Sequence, residues 1–516
     1  MRSLTGETSM TALLQSQTAQ DYLDLLGDDS ARKALLACSA ALSLDDEVAR
    51  QAIEVVAQSN GTTVTLLKRI KSLGCVWRQW DGTWYVAEDV RPCLVDVLEQ
   101  EVPAAIRVSL RETLAGAAEQ RLRSLVADGQ LATYRVRATR LEAGYQRTLT
   151  PGQEEAGAEE ILESWKREGI EGKAATEAAV EHLAPELERH ASFVPPQVMF
   201  LRGMAARKRG DRANAERHFR AVWENGRPGY IFALAAHFFG NLTRDRMTAE
   251  RALRDSLAWN PAPDHQGQVL HSLGNLLARD RSRVKDAEDV FKKSLNLLHD
   301  PQDQGQVFHS LGNLLAKDRS RAKDAEDAFK KSLELLRDSE DQAQVLHSLG
   351  NLLAKDRARA KDAEDAFKKS LNLRHDPEDQ GQVFHSLGNL LAKNLSRTKE
   401  AEDAFKKSLN LLHDPGDQVQ ILSSRAIALS RWGRQHYDDA ERFALEARKL
   451  APSSLQTRAT TGWALANVHE GRGDLQTALK FLQEVRDLNR QQNRSADARR
   501  AEKRIQELEL RIQARN

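Results

Sequence analysis

Four histidines, His271, His309, His347 and His385, recur at intervals of 38 residues. Each carries the same polar company: Gln268/His271/Asn275/Arg279, Gln306/His309/Asn313/Lys317, Gln344/His347/Asn351/Lys355 and Gln382/His385/Asn389/Lys393. Imidazoles ligate metals and move protons, while amides and cations bind peptide backbone and carboxylates. Ligands to one metal must sit within roughly 2–2.5 Å of it. Stacked helical repeats are about 10 Å apart, so this row does not converge on an ion. No H-E-x-x-H, C-x-x-C or G-x-S-x-G occurs. The acidic residues fall in patterns such as "KDAEDAFKK", read as solvated helix faces with i, i+4 pairs. No constellation for catalysis emerges, so no enzyme, metal or cofactor is expected, and the polar set points to binding.

The set needs a scaffold, and its spacing supplies one. Gln344, His347, Asn351 and Lys355 form one helical stripe, offset from the apolar stripe at Leu346, Leu349 and Leu353. The segment "QVLHSLGNLLAK" is therefore one amphipathic helix. "DAEDAFKKSLNL", with Ala363, Ala366, Phe367, Leu371 and Leu373 on one face, is a second. "DRARAK" between them reads as a surface turn. Pro301, Pro377 and Pro415 sit where the second helix must stop. Gly350 and Ala363 are small where the two helices should cross. A fixed period of this length predicts a solenoid, since one hairpin cannot bury its own apolar face.

The order Leu-Gly, Ala, Phe and a closing Pro resembles the tetratricopeptide repeat, lengthened from about 34 residues. "FLRGMAARKRGDRANAERHFRAV" (200–222) matches that pattern, and 238–257 is a shortened copy. About eight repeats are expected over 195–490, the 38-residue copies at 266–417, with a charged capping helix at 491–516. The resemblance implies a mainly α protein, a right-handed α-solenoid of TPR-like hairpins whose first helices line a concave groove. The sixteen polar residues would face that groove. The asparagine row would pair with the backbone of an extended peptide, and the Lys/Arg row would attract carboxylates. The family's usual clamp lysine is replaced here by histidine. The competing explanation is recent duplication, which copies every residue whether useful or not. Ser423 and Ile427 stand where the next His and Asn would fall, so any ladder ends near Asn389.

After an N-terminal segment (1–30), residues 31–102 read differently. "ARKALLACSAAL", "DDEVARQAIEVVAQ" and "TTVTLLKRIKSLG" predict three helices, the third capped by Thr62 or Thr63. "CVWRQWDGTWYVA" alternates around Asp81-Gly82, a hairpin signal. Three helices and a hairpin resemble a winged helix-turn-helix. That resemblance implies DNA contacts by Thr65, Lys68, Arg69, Lys71 and Arg78. Against it, residues 1–120 hold 11 Lys/Arg and 17 Asp/Glu, a balance of −6, and DNA affinity rests largely on phosphate neutralisation. A protein contact or spacer is the alternative. Such a module before a repeat array is similar to the C-terminal half of signal-transduction ATPases with numerous domains. No phosphate loop is present: "GIEGKAAT" (169–176) lacks Ser/Thr directly after its lysine. Residues 103–194 read as a helical connector without a recognisable motif.

The net charge of +1 argues for no global attraction to nucleic acid or anionic membrane. No apolar run approaches 18 residues, and the first residues lack a signal-peptide core. Cys38, Cys75 and Cys93 form no metal or redox spacing and sit among apolar neighbours. A cytoplasmic chain without membrane partners is expected. The leading expectation is a non-enzymatic scaffold or sensor that binds a protein or peptide in its groove, its N-terminal module relaying to a partner. Two alternatives remain: a DNA-binding transcription regulator controlled by its repeats, and an adaptor of a bacterial defence system. The partner and the oligomeric state are left open.

Overall fold

The computed structural model describes residues 18–58, 62–79, 81–129, 134–225, 228–259 and 262–514. The chain is an α-solenoid of tetratricopeptide-type hairpins, and the described residues include one two-stranded sheet. It divides into two compact units, 1–262 and 263–516. No described helix is long and apolar enough to cross a membrane.

In the first unit, Asp28 and Asp45 cap helices Asp29–Ser39 and Asp46–Ala57 by accepting amide hydrogens of the first turn. Thr62 holds the cap position of Thr63–Lys71 but makes no side-chain cap bond. Strands Val76–Arg78 and Trp84–Val86 pair antiparallel, with Gly82 in the left-handed region (φ 88°) in their turn. Leu44 exchanges two backbone hydrogen bonds of 2.9 Å with Trp84, a third pairing segment that sequence patterning missed. Ala19, Leu23 and Leu26 are buried in the same core as Leu35, Ile53, Ile70 and Trp84. The N-terminal segment is thus packed into this core from residue 18 on, while residues 1–17 lie outside the described residues. Cys38 and Cys75 are buried, and burial pushes the Cys75 thiol up to about 11.

Residues 103–190 are tied to this core by a buried polar network. The Arg91–Glu186 pair, at 2.9 Å, is only 6% and 4% exposed. Arg91 also donates to Tyr145 Oη at 2.8 Å and to the Ala41 carbonyl at 3.2 Å. Arg111 donates to Gln146 and to Glu99, and Glu142 accepts from the amides of Leu42 and Ser43. Removing one partner of such a pair strands a buried charge. Two further hairpins complete this unit, Pro196–Lys208 with Arg212–Glu224 and Tyr230–Leu242 with Arg246–Trp259.

The second unit holds six hairpins and a final helix, Ser495–Gln513. We term the first helix of each hairpin A and the second B. The four 38-residue units have A helices Pro263–Leu277, Pro301–Leu315, Ser339–Leu353 and Pro377–Leu391. Their B helices are Val284–Leu297, Ala322–Leu335, Ala360–Leu373 and Thr398–Leu411. The linking "DRARAK"-type turn is a 3-10 turn, with Asp356 accepting from the Ala358 amide in the third unit. Contrary to the expectation from sequence, the prolines do not themselves stop the B helices. Each B helix ends at a leucine, and Pro301, Pro377 and Pro415 open the next A helix behind an aspartate cap. Proline's missing N–H is harmless there because that position has no intrahelical acceptor.

Each hairpin closes on a phenylalanine. Phe291, Phe329, Phe367 and Phe405 are fully buried. A Cβ built on Gly350 would lie 2.6 Å from the Phe367 ring, so the phenylalanine packs directly against the glycine, and Ala363 is fully buried. Buried Ser294, Ser332, Ser370 and Ser408 each donate at 2.7 Å to a carbonyl of the A helix in the same hairpin. Gly350→Leu is expected to lower stability by about 1–3 kcal/mol through overpacking. Chemical denaturation of wild type and variant measures it, and equal midpoints would place the crossing elsewhere.

Candidate functional site

The sixteen stripe residues lie on the A helices, and their environments sort them into two groups. The histidines are half-buried. His271, His309, His347 and His385 place Nε2 at 2.8–2.9 Å from the hydroxyl of Ser310, Ser348, Ser386 and Ser424, each in the next repeat. Burial pushes all four imidazoles down to about 4, so each ring is neutral at pH 7. Each also lies about 6 Å from the phenylalanine of its own hairpin. These histidines stitch one repeat to the next.

The lysine row is engaged as well. Lys317, Lys355 and Lys393 donate to the carbonyls of Ala278, Ala316 and Ala354 at 2.8, 2.7 and 2.7 Å. Those carbonyls end the A helix of the preceding unit, where the helix dipole favours a cation. Arg279, in the first unit of the series, is exposed and makes no such bond. The lysines' expected task, attracting a ligand's carboxylates, therefore competes with a task inside the fold.

The amide rows remain. Gln268, Gln306, Gln344 and Gln382 are exposed, and so are Asn275, Asn313, Asn351 and Asn389. Gln268 and Gln306 donate to Asp303 and Asp341, whereas Gln344 and Gln382 bond no described residue. Asn313 Nδ2 donates to Nε2 of His309 at 3.0 Å, a partner inside its own repeat that sequence reasoning did not foresee. The side chains of Asn275, Asn351 and Asn389 bond no described residue. A cleft along three consecutive 38-residue repeats is lined by His271, Gln306, His309, Asn313, Asp341 and Gln344, so these positions do meet at one surface.

On the B helices the acidic residues are not simply solvated. Glu288, Glu326 and Glu364 accept from Arg321, Arg359 and Arg397 of the following unit, and Glu402 accepts from Arg425. The Arg397 hydrogen bonds hold the Glu364 carboxyl down to about 2. Their i, i+4 lysine pairs exist too, but the arginine partner, 33 residues on, was illegible without the stacking. Among the described residues no group of three His, Cys, Asp or Glu is placed to hold a metal ion.

In the N-terminal module, Thr65, Lys68 and Arg78 are exposed. Arg69 pairs with Asp28 and Lys71 with Asp46 at 2.8 Å. Two cations of the supposed recognition helix are thus partly neutralised within the fold. Asp46 also accepts from the Trp84 indole at 3.1 Å, which fixes its position beside Lys71.

No protein-family model and no curated protein matches the chain. Solved structures do. The chain is similar to YrrB, a TPR protein with an unusual peptide-binding site, at 20% identity over 38% of this chain and 93% of that one, with a TM-score of 0.27. It is similar to the STAND protein PH0952 from Pyrococcus horikoshii, which has a tetratricopeptide repeat sensor. There the identity is 13% over 93% of this chain and 66% of that one, with a TM-score of 0.42. It is also similar to a Rap protein complexed with competence and sporulation factor, at 12% identity over 70% of this chain and 98% of that one, with a TM-score of 0.39. Likeness at this level leaves function to the residues of the chain itself.

Proposed function

We propose that the chain is a non-catalytic binding scaffold whose A-helix face, within residues 195–490, holds an extended segment of a protein partner. One observation carries this reading. Once the histidines and lysines are assigned to repeat stacking, exposed Asn275, Asn351 and Asn389 are left in register with no bond to any described residue. A carboxamide offers both a donor and an acceptor. A row of them satisfies peptide backbone groups whatever the sequence. In this reading the 31–102 module serves as a second protein contact that relays the event. Its acidic balance and the carboxylate pairing of Arg69 and Lys71 support protein over DNA.

The test is selection of displayed random peptides on the full chain, followed by titration of the selected peptides against a variant with all four row asparagines changed to alanine. Enrichment of peptides that depend on the asparagines supports the reading. Failure to enrich any peptide whose binding depends on the four asparagines refutes it. The DNA alternative predicts retention of a random duplex near physiological salt, where phosphate contacts still hold a binder. We expect no anisotropy change with such a duplex under those conditions.

A further inference from the structure

The A-helix stripe does not end in featureless surface after Asn389. One unit on, the helix Pro415–Trp432 presents Gln420, Ser423, Ile427 and Arg431 at the equivalent positions, and Leu455–Arg472 continues with Gln456, Thr460, Trp463 and Asn467. These two faces and the final helix, Ser495–Gln513, line one cleft. Its chemistry differs from that of the asparagine row. Ile427 and the Trp463 indole supply an apolar floor, both half-buried. Arg431, Arg494, Arg500 and Lys503 line the same cleft and are exposed, and none of the four pairs with a described carboxylate. The Arg500 guanidinium lies 5.2 Å from the Trp463 ring centroid. Arg504, by contrast, is taken up by Glu470 and Glu507. Asp497 and Glu507 are the acidic side chains that line the cleft, so positive charge is in excess.

A second observation points to a ligand. Ser423 is 2% exposed and lines the cleft with its hydroxyl unpartnered. In the four preceding units this position is the histidine that bonds a serine of the next repeat. Here the stitch is absent. Gln456 Oε1 is likewise buried without a partner. Buried polar atoms are normally satisfied, and these two sit where a ligand's polar groups would enter.

We infer that this cleft takes a short acidic peptide segment bearing one large apolar side chain, the apolar group lying on Ile427 and Trp463 and the carboxylates on Arg431, Arg494, Arg500 and Lys503. The inference rests on the peptide-groove reading and deepens it by giving the bound segment a charge and an apolar anchor. A nucleic-acid strand fits less well. It requires successive aromatic platforms, whereas the cleft offers one indole with an arginine beside it.

The experiment uses the full chain and a fluorescein-labelled hexapeptide of sequence Glu-Glu-Phe-Glu-Glu-Ala. The controls are the same peptide with glutamine at every glutamate, and a labelled oligouridylate. A hexapeptide spans about 20 Å when extended. The acidic peptide is expected to bind at least tenfold more tightly than the glutamine peptide and to weaken with added salt. Arg500→Glu with Lys503→Glu, both at exposed positions, should cost at least tenfold. Arg431→Glu, on a different helix, should act in the same direction. The four-asparagine variant should bind the hexapeptide normally, which separates failure of the cleft from failure of the asparagine row. The inference is overturned if the acidic peptide does not bind, if the two peptides bind alike, if charge reversal changes nothing, or if the oligouridylate is preferred.

Discussion

Acidification from pH 7 to pH 4 removes much of the stability of residues 263–516. His271, His309, His347 and His385 are each pushed down from 6.5 to about 4 by burial. The charges facing them are modest in effect: Asp303 and Asp341 raise the first two, and Arg374 lowers His347. Each neutral Nε2 shares a hydrogen bond with the serine hydroxyl, and that of His309 also lies 3.0 Å from Asn313 Nδ2. In the unfolded chain these rings take protons below about pH 6.5, while in the fold they stay neutral until about pH 4. The unfolded state therefore binds more protons across that window, and stability rises with pH through it. One pKa unit corresponds to about 1.4 kcal/mol, so each ring accounts for roughly 3 kcal/mol and the four for on the order of 10 kcal/mol. That is comparable with the whole stability of a typical domain.

The carboxylate clasps do not confuse the result above pH 4.5. Glu288, Glu326 and Glu364 are lowered by their arginine partners, so their contribution is fully present above the unfolded carboxylate range and fades only below it. Urea midpoints followed from pH 7.5 to 4.5 should fall steadily from about pH 6.5 downward. Replacing all four histidines with glutamine keeps a hydrogen-bonding partner for each serine but removes their titration, and should make the curve much shallower, the remaining slope coming from His218 and His265, which burial also pushes down. A wild-type curve flat between pH 6.5 and 4.5 would mean that the rings are hydrated rather than buried.

Changing Asn275, Asn313, Asn351 and Asn389 together to alanine weakens a bound peptide by about a hundredfold or more. Each lost hydrogen bond costs roughly 0.5–1.5 kcal/mol. A single change is thus a few-fold effect, and four together cost roughly 2–6 kcal/mol, a range centred above the 2.7 kcal/mol that corresponds to a hundredfold. Folding is kept, because all four are exposed and, among the described residues, only Asn313 has a side-chain partner, His309. The comparison positions must be chosen with care. Glu364 and Glu402 each clasp an arginine of the following repeat, so alanine there loosens the stacking. Exposed Asp365 and Asp403 on the same B helices are the better controls, and their alanine variants should bind as wild type. Calorimetric titration with one selected peptide distinguishes the outcomes. Unchanged affinity in the quadruple variant removes the row from the site, and a collapse of its melting transition would make the asparagines structural.

The repeat unit, its two helices and their apolar faces were legible in the sequence by itself, because periodicity and capping are local and the 38-residue identity multiplies the signal fourfold. So was the pairing near Asp81-Gly82, a two-residue turn signal. The sequence also picked out the residues of the stripe, but not their tasks. A histidine repeated every 38 residues is the same string whether it faces a ligand or a serine 39 residues away in the next repeat. Only the stacking brings Nε2 within 2.9 Å of that hydroxyl and Lys355 Nζ within 2.7 Å of the Ala316 carbonyl. The same holds for the clasp of Arg359 on Glu326 and for Arg91 on Glu186, 95 residues apart. Helix form follows from neighbours in the chain. Which polar groups are spent within the fold and which stay free depends on neighbours in space, and that division was settled by the tertiary structure.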